Sequence, residues 1–378
     1  MITNKFKQYC KILTLIGIFY LIPSVQLIYQ IKNESNCRYN YKCLRPLFEI
    51  KSFNNIVSNI GYIFFGIVHA LIIAKKQRNE LQKILPDMPI DIFLHYAMSE
   101  AMVLEGIFSS LYHLCPNMQN YQFDTTFIIM GAGMIIIDYI SKMNPKLVFD
   151  FFRVFGFFAL LISLNSLQLN FIFPIPVIMW IVSIFLFVWT TNAIMINALF
   201  PDVKFSLGIK HILSKILHIF KNKKIDMGLL IISNGINISI FTIAYQIRSM
   251  FPTIFIGLLV SNVMILISFH IFKEIRVGHK IGKINWILLF SSGILLALSI
   301  YFFSIPTYIK FGTPSESRKY NKPCILFNYF DYHDIWHFMS AFGIFTLLQL
   351  SWRLQPDITV LRSSFLREPL NLEFDKNY

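Results

Sequence analysis

The sequence predicts an all-α fold: a polytopic membrane helical bundle of about ten transmembrane helices with both termini in the cytosol. Three observations carry that prediction. Of 378 residues, 55% are hydrophobic and only 14% charged, and the mean hydropathy is +0.57. The apolar residues come in long runs instead of the short amphipathic stripes of soluble helices. The basic residues gather in the connections that an inside start would place in the cytosol. Little length is left for a soluble domain, so residues 1–378 are read as one membrane domain that ends in a short cytosolic tail, 351–378. The 39 Phe and the Ile-, Lys- and Asn-rich texture are read as biased codon usage, without functional meaning.

A helix needs about 20 mostly apolar residues to cross the hydrocarbon core. By that measure the spans fall at 11–30, 53–74, 92–113, 124–141, 148–168, 171–198, 227–246, 252–272, 285–305 and 332–350. The first is flanked by Lys5, Lys7 and Lys11 and is followed by no Ala-x-Ala cleavage site, so it is a retained, inward-anchored helix and not a removed signal peptide. Ten crossings from that start send Lys75, Lys76, Arg78, the Lys204 to Lys224 run, Lys273, Arg276, Lys280, Lys283, Arg353, Arg362 and Arg367 to the inner side. Much of the formal charge of +14 is therefore a topology signal, and basicity by itself does not argue for nucleic acid. Between the sixth and seventh spans, Ile209, Ile212, Leu213, Ile216, Leu217 and Phe220 form one helical stripe opposite Lys210, Ser214, Lys215, His218 and Lys221. This is the pattern of an interfacial helix on anionic lipid, with a regulatory or partner-binding helix as the alternative.

The same topology puts Cys37, Cys43, Cys115 and Cys324 outside and leaves Cys10 at the cytosolic end of the first helix. Four outer thiols suit two disulfides, and three pairings are open. Asn33-Glu34-Ser35 is a glycosylation sequon on the side where it can be used, whereas Asn237-Ile238-Ser239 lies inside a span. Both signals favour a membrane of the secretory pathway.

Ionisable groups inside membrane helices need a partner or a role. Of nine histidines, His69, His95, His211, His218, His270 and His279 go to the cytosolic half, which leaves His113, His333 and His337 outside. His333 and His337 stand at i, i+4 at the outer start of the last helix, which stacks two imidazoles on one face. Glu105, Ser109 and His113 climb the third helix at four-residue steps, and Asp124 opens the fourth. Three imidazoles and one carboxylate thus converge, a set that suits Zn2+ better than the hard magnesium or calcium ions. Three protein ligands plus a water is the catalytic pattern, in which Asp124 takes a proton from the water or closes the coordination sphere, and Ser109 holds the water or polarises a carbonyl oxygen. His333-Asp334-x-x-His337 has the outline of the H-E-x-x-H protease motif, but the shorter Asp and the position at a membrane helix argue against that chemistry. Asp138 and Glu100 are further intramembrane acids, expected in a water-lined cavity or a helix contact.

The stretches CRYNYKCLRPLFEIKSFNNIVSNIGYIFFG, EGIFSSLYHLCPNMQNYQFDTTFIIM and TPSESRKYNKPCILFNYFDYHDIWHF resemble the transmembrane region of the SID family, the systemic RNA-interference-defective double-stranded RNA transport proteins. The resemblance runs from the first helix to near the carboxyl end. It implies membership of the wider CREST group, with alkaline ceramidases and adiponectin-type receptors, whose shared site is a serine, three histidines and an aspartate around zinc. By that resemblance Ser109, His113, Asp124, His333 and His337 take those roles. Full-length members also carry a large amino-terminal extracellular region, associated with RNA binding, and a further helix, and this sequence is read as lacking both.

Three functions follow. In the first, double-stranded RNA is moved or helped across a membrane, with Lys32, Arg38, Lys42, Arg45, Lys51, Lys310, Arg318, Lys319 and Lys322 as candidate phosphate contacts, though they are few and a solvated loop accounts for them more simply. In the second, the zinc site hydrolyses a lipid amide or ester, with ceramide-like or phospholipid substrates. In the third, zinc is structural and the protein is a scaffold that binds sterol or other membrane lipids. The expected location is the plasma membrane or an endosomal or lysosomal membrane.

Overall fold

The computed structural model of the protein describes residues 10–22, 37–81, 92–117, 120–143, 208–222, 224–246, 251–309 and 313–354, with isolated positions at 8 and between 156 and 196. Apart from those isolated positions, the expected spans 148–168 and 171–198 lie outside this set, as do the Asn33 sequon and residues 355–378. Among the described residues the regular elements are helices, accompanied by two isolated bridges. They are α1 (Cys10–Ile22), α2 (Phe53–Val57), α3 (Ile60–Leu81), α4 (Ile92–Tyr112), α5 (Thr126–Met143), α6 (Ile209–Asn222), α7 (Lys224–Gln246), α8 (Phe251–Arg276), α9 (Lys283–Ser304), α10 (Pro314–Arg318) and α11 (Tyr332–Arg353).

Four helical stretches among the described residues are long and apolar enough to cross a membrane by length and composition: Phe53–Lys75, which takes in α2 and most of α3, Thr126–Met143, Ile256–Arg276 and Lys283–Ser304. Helices α4 and α11 have the length, 21 and 22 residues, or about 30 Å at ~1.5 Å per residue. Their mean hydropathy is lowered by the polar side chains they turn inward, among them Glu105, Ser109, His333 and His337, all buried. The protein is an integral membrane protein, and its outward faces agree with that. Ile60, Phe64, Ile67 and Leu71 form an exposed stripe on α3, and Ile287, Phe290, Ile294 and Leu298 another on α9. Such stripes are stable facing lipid and costly facing water.

The helices close a ring in which α11 packs on α3, α3 on α4, α4 on α5, α5 on α8, α8 on α9, and α9 on α11, with α11 also touching α4 and α5. Where α3 meets α4, small residues allow the close approach. A Cβ on Gly66 would lie 2.8 Å from Val103 and 2.9 Å from the Ser99 carbonyl, and one on Gly106 would lie 2.6 Å from Ile63. The expected span 53–74 is two helices with a step between them. Ser58 Oγ and Asn59 Nδ2 both donate to the Asn55 carbonyl, at 2.8 and 2.9 Å, and so compete with the helical ladder.

Helix α8 ends on Gly278, whose φ of 97° is the left-handed geometry of a Schellman cap: Gly278 N–H donates to the Ile275 carbonyl and His279 N–H to that of Glu274. Helix α6 splits its apolar stripe, burying Ile212 and Ile219 while Leu213, Leu217 and Phe220 stay exposed, as a helix lying in an interface requires. Asn237 is fully buried and exchanges amide hydrogen bonds with Asn262, which is consistent with an unused sequon.

Candidate metal centre

Both disulfides sit at one end of the bundle, joining Cys37 to Cys115 and Cys43 to Cys324 with Cα–Cα distances of 4.8 and 4.9 Å; Cys10 takes part in neither disulfide. This selects one of the three open pairings. Cys115 lies two residues beyond His113, so the first bridge fixes the end of α4 where the histidine stands. Ser52 Oγ adds a hydrogen bond to the His113 carbonyl at 2.5 Å.

The other two histidines are placed by the start of α11. Asp331 caps that helix, its Oδ1 accepting from the backbone N–H groups of His333 and Asp334 at 2.8 and 3.1 Å, while Asp334 Oδ2 accepts from Asp331 N–H at 2.9 Å. This capping box satisfies the otherwise orphaned amides of the first turn. The two aspartates are in turn held from outside the helix: Asn40 Nδ2 donates to Asp331 Oδ2 at 2.8 Å, Asn55 Nδ2 to Asp334 Oδ1 at 2.8 Å, and Asn54 Nδ2 to Asp334 Oδ2 at 3.1 Å. Burial raises the Asp331 carboxyl above its ordinary range, against the lowering effect of these bonds. Asp334 is therefore part of the helix cap, which sets aside the role a protease-like motif would give it.

Within this frame the predicted residues come together. His113, Asp124, His333 and His337 each offer one ligand atom, and those atoms lie within 4.8 Å of one another, all four residues being buried. His113 Nε2 is 3.0 Å from His337 Nε2 and 3.9 Å from Asp124 Oδ1, and His333 Nε2 is 3.8 Å from Asp124 Oδ2. Two imidazole nitrogens on one tetrahedral zinc, at ~2.0–2.1 Å from it, stand about 3.3 Å apart, so one ion fits this set. Ser109, fully buried, donates through Oγ to Asp124 Oδ1 at 2.6 Å. Its hydroxyl thus orients the carboxylate.

Aromatic groups complete the walls. The Trp336 and His337 rings are 4.4 Å apart, Tyr62 meets His337 edge-on and hydrogen bonds Ser340, and Tyr308 pairs with Tyr112 at 3.2 Å. Burial pushes the Tyr308 phenol well above its ordinary range, so it stays neutral.

The sequence reading missed Asn40, Asn54 and Asn55; an Asn-Asn doublet at the start of a membrane helix was the available signal. The inner acids have partners. Asp138 meets Lys142 Nζ at 2.5 Å, accepts from Ser351 Oγ, and lies 3.7 Å from His95 Nε2, while Glu100 accepts from Thr14 Oγ1. Both are helix contacts. Among the nine basic residues offered as phosphate contacts, Arg45 donates to the carbonyl and side chain of Asn328 and Arg318 lies over the Tyr41 ring. Lys32 and Lys310 lie outside the described residues.

Comparison with known proteins places this architecture. The family described as the dsRNA-gated channel SID-1 matches residues 1–362. Human SID1 transmembrane family member 1 is 28% identical over 96% of this chain and 47% of its own length, and the mouse protein of that name is 29% identical over the same shares. Cholesterol uptake protein 1 of Caenorhabditis elegans is 30% identical over 90% of this chain and 48% of its own length. The chain thus spans about half the length of the curated relatives it matches.

Proposed function

The chain belongs to the family of the dsRNA-gated channel SID-1, and on that premise we propose that this integral membrane protein takes part in moving double-stranded RNA across a membrane and carries a zinc centre at its disulfide-linked end. One observation supports the metal half of this reading: three imidazoles and a carboxylate converge in a buried site with their ligand atoms within 4.8 Å. Imidazoles packed against a carboxylate away from water are a stable arrangement around a cation and a costly one without compensation.

His113, His333 and His337 are the ligands in this reading. Zinc bound there supplies Lewis-acid polarisation, the chemistry used to cleave amides and esters at neutral pH. The chain's own residues divide the remaining work. Ser109 orients Asp124 through Oδ1, and Oδ2 lies 3.8 Å from His333 Nε2; in this reading the carboxylate takes and returns a proton or binds the ion as a fourth ligand. In this reading the acyl chain of a lipid substrate would lie among the helices, with its headgroup at the outer surface. Lipid amide or ester hydrolysis is accordingly the chemistry the site would support, with ceramide-like or phospholipid substrates.

The second reading is structural zinc in a scaffold that binds sterol. It is favoured by the closeness of the Asp124 oxygens to two of the imidazoles, which suits a closed four-ligand sphere, and by the cholesterol uptake relative. The deciding experiment reconstitutes the full chain in vesicles and compares uptake of labelled duplex RNA with release of fatty acid from labelled ceramide, for wild type and His333→Ala. Uptake alone, retained in His333→Ala, would separate transport from the metal. Release lost in His333→Ala would establish hydrolysis. Neither signal in wild type, with zinc present, would leave the scaffold reading.

A further inference from the structure

Two phenylalanines stand on turn tips at the disulfide end with almost no protein around them: Phe48 is 94% exposed and Phe327 84% exposed. Each is in the left-handed backbone region, with φ of 51° and 54°, as is Asn328 at 51°. That conformation is a genuine outlier for a bulky side chain. The Phe48 turn is a two-residue connection in which Leu47 and Ile50 exchange backbone hydrogen bonds at 3.0 and 3.1 Å. Its first central position is one that normally favours glycine. The Phe327 turn is closed by the Leu326–Phe330 bridge.

The two tips form one rigid unit. The Cys43–Cys324 disulfide joins their stems, and Arg45 donates to the Asn328 carbonyl through Nε at 3.0 Å and Nη2 at 2.7 Å. Each phenylalanine precedes a membrane helix by five residues, Phe53 in one case and Tyr332 in the other, so neither tip can be far from the level where those helices begin. An apolar surface also leads from the tips to the lipid-facing flank. Phe330 packs on Phe338 at 4.9 Å, Phe342 follows one turn along α11 and is 43% exposed, and Phe65 stacks on Phe342 beside the exposed Phe64 of α3. Leu47, Ile50 and Ile325 are exposed next to the tips. Glu49, Arg45 and Lys51 flank Phe48, a mixed set of charges that belongs at headgroup level and not in hydrocarbon.

We propose that Phe48 and Phe327 are a paired membrane anchor, dipping their rings into the glycerol region of the leaflet at the disulfide end and seating the cross-linked loops on the bilayer surface. The partner is the lipid interface itself, taken through apolar contact, without a specific headgroup. Presenting two rings on strained turns has a consistent physical use here, because aromatic rings are favoured at that depth.

The test places single tryptophans, Phe48→Trp and Phe327→Trp, in the full chain reconstituted in phosphatidylcholine vesicles. Ser315→Trp on the polar helix α10 serves as the water-facing reference, and the native tryptophan signal is subtracted. The anchor predicts a blue-shifted emission, quenching by lipid brominated near the top of the acyl chain, and protection from aqueous iodide. Iodide quenching equal to that of Ser315→Trp would overturn it. Protection from iodide without quenching by brominated lipid would overturn it as well, since a protein surface or a second copy would then cover the tips. Should a tryptophan on either strained turn unfold the protein, Ile325→Trp, beside the same tip, puts the identical question.

Discussion

Among the described residues, two buried clusters both combine histidine with aspartate, at opposite ends of the same helices, and they satisfy their charge differently. At the disulfide end, Asp124 meets Ser109, His113 and His333. At the other end, Asp138 meets Lys142, Ser351 and His95, and Lys142 also donates to the Ser351 carbonyl at 2.6 Å. His69, bonded to Gln349, lies with its ring 5.8 Å from that of His95. Along α4 the clusters are separated by the 18 residues from His95 to His113, about 27 Å at ~1.5 Å per residue. The inner cluster brings its own cation in Lys142, whose ammonium has three acceptors. The outer cluster offers donors to a cation from elsewhere. Similar residue types thus give a helix clamp in one place and a candidate metal centre in the other, and the deciding difference is whether the protein supplies the positive charge.

The largest effect that would break this comparison is loss of the metal. Purified protein is expected to hold about one zinc per chain, and His113→Ala, His333→Ala and His337→Ala are expected to lose it, with lower thermal stability by up to about 4 kcal/mol where free zinc exceeds Kd a thousandfold. Elemental analysis with no zinc in wild type prepared without chelator would falsify the site. Asp124→Asn and Ser109→Ala separate the two zinc readings. Retention of metal with loss of hydrolysis makes the aspartate a proton carrier, whereas loss of metal makes it a ligand.

The second test takes away the inner cation. Lys142→Met leaves Asp138 buried without its ammonium and is expected to cost about 3–5 kcal/mol in denaturant unfolding, while zinc content stays at the wild-type level. The double variant Asp138→Asn/Lys142→Met should recover part of that loss. Zinc lost from Lys142→Met would mean that the two ends are not independent.

Smaller is the contribution of the covalent cap. Cys37→Ser/Cys115→Ser is expected to destabilise the protein by about 2–4 kcal/mol and to loosen the His113 end of α4, read as weaker zinc affinity. Thiol labelling of denatured, unreduced wild type should find only Cys10 free, and labelling of all five cysteines would remove the cap from the comparison.

The smallest effect belongs to a carboxylate in water. Glu316, in the capping box of α10, is held below its ordinary range by the backbone N–H and hydroxyl of Thr313. A depressed folded-state value means its stabilising contribution is present above the unfolded value, 4.5, and is lost as pH falls through the folded one. Protection of the α10 amides relative to their intrinsic exchange rate should therefore fall on acidification below pH 4.5 in wild type and not in Glu316→Gln, with no change at either buried cluster attributable to that residue.

By itself the sequence determined what depends on neighbours along the chain. Runs of apolar residues give the membrane class, and six of the ten expected spans coincide with helices among the described residues to within a few positions; the break in the expected span 53–74 turns on competition by Ser58 and Asn59 for a carbonyl that hydropathy does not register. The i, i+4 spacing put His333 and His337 on one face, and alternation of sides selected His113 and Asp124, because position along a membrane helix fixes depth. Only the tertiary structure decided what depends on distance through space. Cys43 and Cys324 are 281 residues apart, Asn40 reaches Asp331 over 291, and Lys142 reaches Ser351 over 209. Nothing in local propensity encodes such partners, since side-chain contacts between helices follow from which faces pack together, and the same alternating polar positions fit several packings until the whole bundle closes.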